Sequence, residues 1–273
     1  MELIKIFLIL VNIITYKTSA FPALSFDESR SLFAVEPNES AGKSLKEWSK
    51  GDMKGNAEEQ GPYLEGDIII SDARNGVKLP GQRWTKGIIP YEIDAYLTNE
   101  QKNMLSNAID EIKSKTCIKL IPRGGEKDYV VFKNDDSGCW SSVGKTGGRQ
   151  VINLQAPCLR VVGTAIHEIM HAIGFYHEQN RGDRDKYVTI RKDNIQNDKY
   201  INFEKLSPDE EDNLNTKYDY TSVLHYSPYS FSKNGQPTIE TKGNPSTTDQ
   251  MGQREGLSSS DVLKINKMYN CSK

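Results

Sequence analysis

Long apolar runs are almost missing from this chain of 273 residues. Beyond residue 14 no stretch approaches the ~20 apolar residues that a membrane-spanning helix requires, so no membrane span is expected. Charge of one sign is missing too. With 35 basic and 37 acidic side chains the formal net charge is -2, which gives no basic stripe for nucleic acid to bind. Cysteine is scarce, at four residues, and no two lie close enough to form a CxxC-type metal clamp. Histidine is equally scarce, also four. No internal repeat and no long low-complexity tract interrupts the pattern.

The one apolar run sits at the N-terminus. Met1–Lys5 carries a lysine, residues 6–14 are apolar apart from Asn12, and Thr18, Ser19 and Ala20 are small. That layout predicts a signal peptide over 1–20, and its core is too short for a membrane anchor. The expected location is secreted and extracellular. In that oxidising compartment Cys117, Cys139, Cys158 and Cys271 read as two disulfides, with three possible pairings. Residues 21–74 contain Ser, Glu, Lys and Gly stretches with little apolar period, which predicts a loosely structured leader. Asn38 and Asn270 each open a glycosylation sequon. The polar, turn-prone segment Asp72-Ala73-Arg74-Asn75-Gly76 offers Arg74 to an activating trypsin-like protease.

From Gln82 onward the pattern is globular. Residues 88–93 read as a strand, and Thr98 with Gln101 forms a capping box before Met104, Leu105, Ala108, Ile109 and Ile112 recur at helical spacing. Short β-rich runs come next at 117–121, 129–133 and 150–154. A second helix is expected over 161–172, stopping near Gly174, and a terminal one over 259–269. The class is mixed α and β.

The chemistry is concentrated in His167-Glu168-Ile169-Met170-His171-Ala172-Ile173-Gly174-Phe175-Tyr176-His177. Residues i and i+4 lie one above the other on a helix, so His167 and His171 can present ring nitrogens to one ion. Glu168 sits beside the metal without having to bind it, where it can take a proton from an attacking water. Gly174 suits the left-handed conformation that ends a helix, and the turn can bring back His177 as third ligand. Three protein ligands leave one position open, as catalytic Zn2+ requires; a structural site would fill all four. Three of only four histidines fall in this window.

This segment resembles the metzincin peptidases, and the residues after it narrow the resemblance to the astacin family. The extended signature continues through Glu178 and Gln179-Asn180-Arg181-Gly182-Asp183-Arg184-Asp185. Further matches are Trp84 with Gly87-Ile88-Ile89-Pro90-Tyr91, Gly138-Cys139-Trp140-Ser141-Ser142-Val143-Gly144, and Gly252-Gln253-Arg254. The resemblance covers about residues 75–273.

The resemblance implies an α+β, two-lobed metzincin-type domain. Its N-terminal lobe would hold a twisted, mostly antiparallel or mixed sheet and the active-site helix; the C-terminal lobe would be irregular, with a terminal helix. The implied organisation is minimal: signal peptide 1–20, propeptide 21–74 and catalytic domain 75–273. The family pattern selects the pairings Cys117–Cys271 and Cys139–Cys158. Tyr226, in Ser222-Val223-Leu224-His225-Tyr226, takes the place of a switchable tyrosine that ligates zinc at rest and supports the oxyanion in the transition state. Leu224 stands where the family has methionine, a swap that usually costs below ~1.5 kcal/mol. His225 belongs to the segment without being a ligand. Asp67, in Leu64-Glu65-Gly66-Asp67, takes the place of an aspartate that blocks zinc in the zymogen, with Leu64 replacing an aromatic. Asn75 becomes the mature N-terminus and Glu178 its anchor. Arg254 aligns with an arginine that favours acidic residues just after the cut bond. The implied activity is a zinc metalloendopeptidase acting on protein or peptide substrates, one Zn2+ per subunit, with no acyl-enzyme. A catalytically inert relative used for binding is the alternative, favoured only by Leu224 and Leu64.

Overall fold

The structure, a computed structural model, describes residues 36–49, 55–70, 80–208, 212–243 and 245–272. The expected signal peptide over 1–20, and Arg74 and Asn75, lie outside the described residues.

A mixed sheet of five strands forms the first lobe, in the order β2-β1-β3-β5-β4. The strands are β1 (Ile88–Ile93), β2 (Lys119–Pro122), β3 (Tyr129–Lys133), β4 (Cys139–Trp140) and β5 (Arg149–Leu154). Pairing is parallel at β1–β2, β1–β3 and β3–β5, and antiparallel only at β4–β5. The sheet is thus mixed, as expected, but parallel pairs outnumber antiparallel ones. Parallel strands are normally covered on their faces, and Val130, Phe132, Ile152 and Leu154 are accordingly buried.

Four α-helices are described: α1 (Glu39–Trp48), α2 (Asn99–Lys115), α3 (Val162–Ile173) and α4 (Ser259–Met268). α2 starts at the expected capping box: Thr98 accepts from the Gln101 N–H, and the Gln101 side chain accepts from the Thr98 N–H. Its Leu105, Ala108, Ile109 and Ile112 face the core, where each large side chain contributes about 2 kcal/mol. α3 is mostly apolar apart from Thr164, His167, Glu168 and His171, and it is buried from Gly163 to Ile173. It ends at Gly174, whose φ of 132° needs glycine, with the Gly174 N–H donating to the His171 and Met170 carbonyls. The Trp84 indole N–H donates to the Ala172 carbonyl at 2.8 Å, fixing α3 from the far side.

The second lobe is irregular. It has a two-stranded sheet of β6 (Val188–Ile190) and β7 (Ile239–Thr241) and a separate core that includes Val188, Ile195, Phe203, Tyr226, Phe231 and Ile239. α4 opens with a second capping box, Ser258 with Asp261. Disulfides join Cys117 to Cys271 and Cys139 to Cys158.

Residues 36–70 depart from the expectation of a loose leader. Asn38 caps α1 by accepting from the Ser40 and Ala41 N–H groups, and Ala41, Gly42 and Leu45 are buried. Tyr63, Leu64 and Ile68 are buried as well. Next to the edge strand β4 the segment adds to the sheet: Ser141 N–H donates to the Asp67 carbonyl and Ile69 N–H to the Ser141 carbonyl, both at 2.9 Å. The physical reason is tertiary. A segment too polar to fold alone acquires structure by covering an open sheet edge and a cleft.

Candidate active site

His167 and His171 project from α3 and His177 from the extended residues after Gly174. Their Nε2 atoms meet, with His171 3.0 Å and His177 3.2 Å from His167. Asp67 joins them, its Oδ2 2.9 Å from His167 Nε2 and 3.4 Å from His177 Nε2, and its Oδ1 3.6 Å from His171 Nε2. These four residues form a buried cluster with metal-ligating geometry. The turn delivering Asp67 has Glu65 and Gly66 at φ 51° and 91°, the second a conformation suited to glycine.

Each ring is held by its other nitrogen. His167 Nδ1 lies 2.7 Å from the Val223 carbonyl and His171 Nδ1 2.7 Å from the Phe175 carbonyl. His177 Nδ1 lies 2.8 Å from Glu65 Oε2. Carbonyl oxygens only accept, so Nδ1 carries the proton in His167 and His171, and the Nε2 lone pairs point at the cluster centre. Lone pairs converging at these distances repel unless a cation lies between them. Tetrahedral zinc, with bonds of about 2.0–2.1 Å to nitrogen, sets its ligand atoms roughly 3.3 Å apart, and the cluster has that size. The electrostatics agree. Burial opposes charge on His177, but Asp67 and Glu65 carry it up to about 9. Burial, with the Arg254 charge, pushes His167 down to about 3. The centre calls for positive charge that the rings cannot supply together.

Glu168 is wholly buried and neither carboxylate oxygen has a hydrogen-bond partner. Burial raises its pKa well above the usual carboxylate range, and the charges of Asp67 and Glu58 add to this. With no hydrogen-bond partner on either oxygen, the group has no protein competitor for a proton from water once it is ionised. Tyr226 packs against His177 with ring centroids 4.6 Å apart, and its hydroxyl donates to the Glu65 carbonyl at 2.5 Å. The fourth donor of the cluster is therefore Asp67, with Tyr226 beside it. Leu224 is buried in the core. The fourth histidine, His225, is held by the Tyr218 hydroxyl and the Tyr226 carbonyl, outside the cluster.

Arg254 is buried and ion-paired with Glu58. Glu178 is buried too: its Oε1 accepts from Arg181 at 3.1 Å and from the Asp219 N–H at 2.9 Å, and Oε2 meets Lys264. Sequence reasoning missed several of these groups. Asp261 accepts from the Ser222 hydroxyl at 2.6 Å and the Val223 N–H at 2.9 Å, so it anchors the segment whose carbonyl orients His167. Its place in the terminal helix was expected; this role was not. Nothing in the residue pattern singles out Glu58, Glu65 or Lys264.

Residues 76–270 match the family model described as Astacin, a family of peptidases. Zinc metalloproteinase nas-4 of Caenorhabditis elegans is 40% identical over 224 residues, 77% of this chain and 70% of that protein. Human meprin A subunit beta is 44% identical over 213 residues, 77% of this chain but only 30% of that protein. Among solved structures, the hatching-enzyme zinc protease HCE-1 of the medaka Oryzias latipes has a TM-score of 0.64 and 34% identity, over 75% of this chain and 99% of the other. With three histidines set around one metal position and the family model spanning most of its length, this chain belongs to the astacin family of zinc metalloendopeptidases.

Proposed function

We propose that this protein is a secreted endopeptidase made as a zymogen, its leader spanning 21–74 and its catalytic domain 75–273. The observation that carries this reading is Asp67 lying within ligand distance of all three histidines while Glu168 stands unpaired beside them. A carboxylate from the leader occupies the position where a substrate water belongs, which accounts for latency.

His167, His171 and His177 hold the metal. Bound there, zinc supplies Lewis acidity and makes water acidic enough to attack near neutral pH. Glu168 takes the proton of the attacking water and delivers it to the leaving amine. Burial, then the charges of Asp67 and Glu58, raise its pKa in the uncut chain; departure of the leader exposes the group and removes both charges, which favours its ionised form. Tyr226, once its hydroxyl is released by Glu65, offers a donor to the oxyanion.

Cleavage after Arg74 would make Asn75 the new terminus, and its ammonium would approach Glu178. A small cavity lined by His177, Glu178, Arg181 and Lys264 supports this reading. Arg254 supports a preference for Asp or Glu just after the cut bond, since its buried guanidinium is paired with a carboxylate. Among the described residues no helix is long and apolar enough to cross a membrane. The test is hydrolysis of casein and a peptide library by trypsin-processed protein, with and without a zinc chelator. Chelator-sensitive cleavage enriched in acidic residues at that position is expected; no cleavage, or cleavage indifferent to the chelator, contradicts the reading.

A further inference from the structure

Glu58 is an acidic residue with almost no exposure, 1%. Burying a carboxylate is costly unless it is paired, and both of its oxygens have donors. Oε1 takes the Nε–H of Arg254, and Oε2 accepts from the Thr164 hydroxyl at 3.3 Å. Thr164 lies on α3 one turn before His167. The donors are prearranged. Arg254 Nη1 donates to the carbonyls of Gln253 at 2.7 Å and His225 at 3.2 Å, so the guanidinium is fixed by the domain itself. The Gly163 N–H donates to the Arg254 carbonyl at 3.1 Å, and a Cβ on Gly163 would lie 2.0 Å from that oxygen. Thr164 and Arg254 are thereby locked side by side. One donor, Arg254 Nη2, is buried without a partner, although an Arg–carboxylate fork normally engages two nitrogens.

The geometry points to Thr164 and Arg254 as the two halves of one carboxylate receptor, filled by Glu58 in the uncut chain and by an acidic substrate side chain once the leader is gone. This rests on the acidic-preference reading of Arg254 and adds a second specificity-determining residue to it. Glu58 acts as a built-in stand-in for the substrate side chain. Its nine-residue offset from Asp67 lets the leader hold the receptor and the metal ligands at once. Thr164 favours a carboxylate over its amide because a hydrogen bond to an ionised oxygen is stronger than the neutral one the same hydroxyl would make to a carboxamide.

The experiment compares processed wild type, Thr164→Val and Thr164→Ser on matched peptides carrying Glu or Gln after the cut bond. The ratio of kcat/KM for Glu over Gln is expected to fall about tenfold in Thr164→Val, the scale of one hydrogen bond to a charged group, and to recover in Thr164→Ser. A second measurement uses a synthetic peptide of residues 55–70 as inhibitor of the processed wild-type enzyme. Its Glu58→Gln form is expected to inhibit about tenfold less well, on the same grounds. It decides the matter if Thr164→Val does not fold. Equal inhibition by the two peptides, or an unchanged Glu-over-Gln ratio in a folded Thr164→Val enzyme, overturns the receptor. A wild type with no acidic preference at all overturns both this and the Arg254 reading; a preference that Thr164→Val leaves intact overturns Thr164 alone.

Discussion

Oδ2 of Asp67 lies 2.9 Å from Nε2 of His167, one hundred residues further along the chain. The N-terminal segment and α3 are thus joined at the metal position. Replacing Asp67 by alanine removes the carboxylate proposed to block the metal while Glu58–Arg254 and the β4 edge contacts remain. Because those contacts still fill the cleft, uncut Asp67→Ala should hydrolyse a small peptide only about tenfold faster than the uncut wild type, the worth of one charge-assisted contact, and remain well below the processed enzyme. A fluorogenic assay of protein kept uncut by a second change, Arg74→Gln, reads this directly.

The same contact sets a pH dependence. Burial alone would raise the Asp67 carboxyl, but the His177 and His171 charges and the His167 hydrogen bond hold it well below its ordinary 3.8. A depressed carboxylate contributes stability that is complete above the unfolded pKa and is lost only as pH falls through the folded one. Asp67 therefore stays ionised from neutrality down to about pH 4, and mild acid should not open the latch. Uncut protein held at stepped pH and returned to neutrality should show no gain in peptidase activity over that range.

Glu168 touches no ligand atom of the cluster by hydrogen bond, so its removal should separate binding from chemistry. Glu168→Gln should keep its zinc while kcat falls by about 10²–10⁴-fold or more, the contribution of a positioned general base. Metal analysis and turnover on one preparation check both halves.

The two disulfides should differ in weight. Cys117–Cys271 spans 154 residues and Cys139–Cys158 spans 19. In the chain-entropy model these closures are worth about 5 and about 3 kcal/mol. Double Cys→Ser replacement of the first pair should lower Tm more than that of the second, measured by calorimetry on the uncut chain.

How much of this was legible depended on whether the signal was local. α2 and α4 could be read because Thr98/Gln101 and apolar positions at helical spacing are contiguous in sequence. The His167–His177 set was legible because a helix and one glycine fix its geometry. α1 was not, since only Ala41, Gly42 and Leu45 are buried and the groups covering them come from elsewhere: a Cβ on Gly42 would lie 2.1 Å from the Asp136 carbonyl. β4 is two residues long and exists through its pairing with β5. Glu58, Glu59 and Glu65 look like solvated charges in sequence; their partners Arg254, Ser227 and His177 lie more than a hundred residues away. Lys264 pairs with Glu178 across 86 residues and left no trace in the pattern. The Val223 and Phe175 carbonyls that orient two rings are backbone atoms and carry no residue signature.

Function here turns on His167, His171 and His177 converging on a single cation. Elemental analysis of purified protein, dialysed free of loosely held metal, tests it most directly. One zinc per chain in the wild type, lost on His171→Ala in protein that still folds, is the predicted result; folded wild type with no stoichiometric metal, or full zinc retention in that variant, would contradict it.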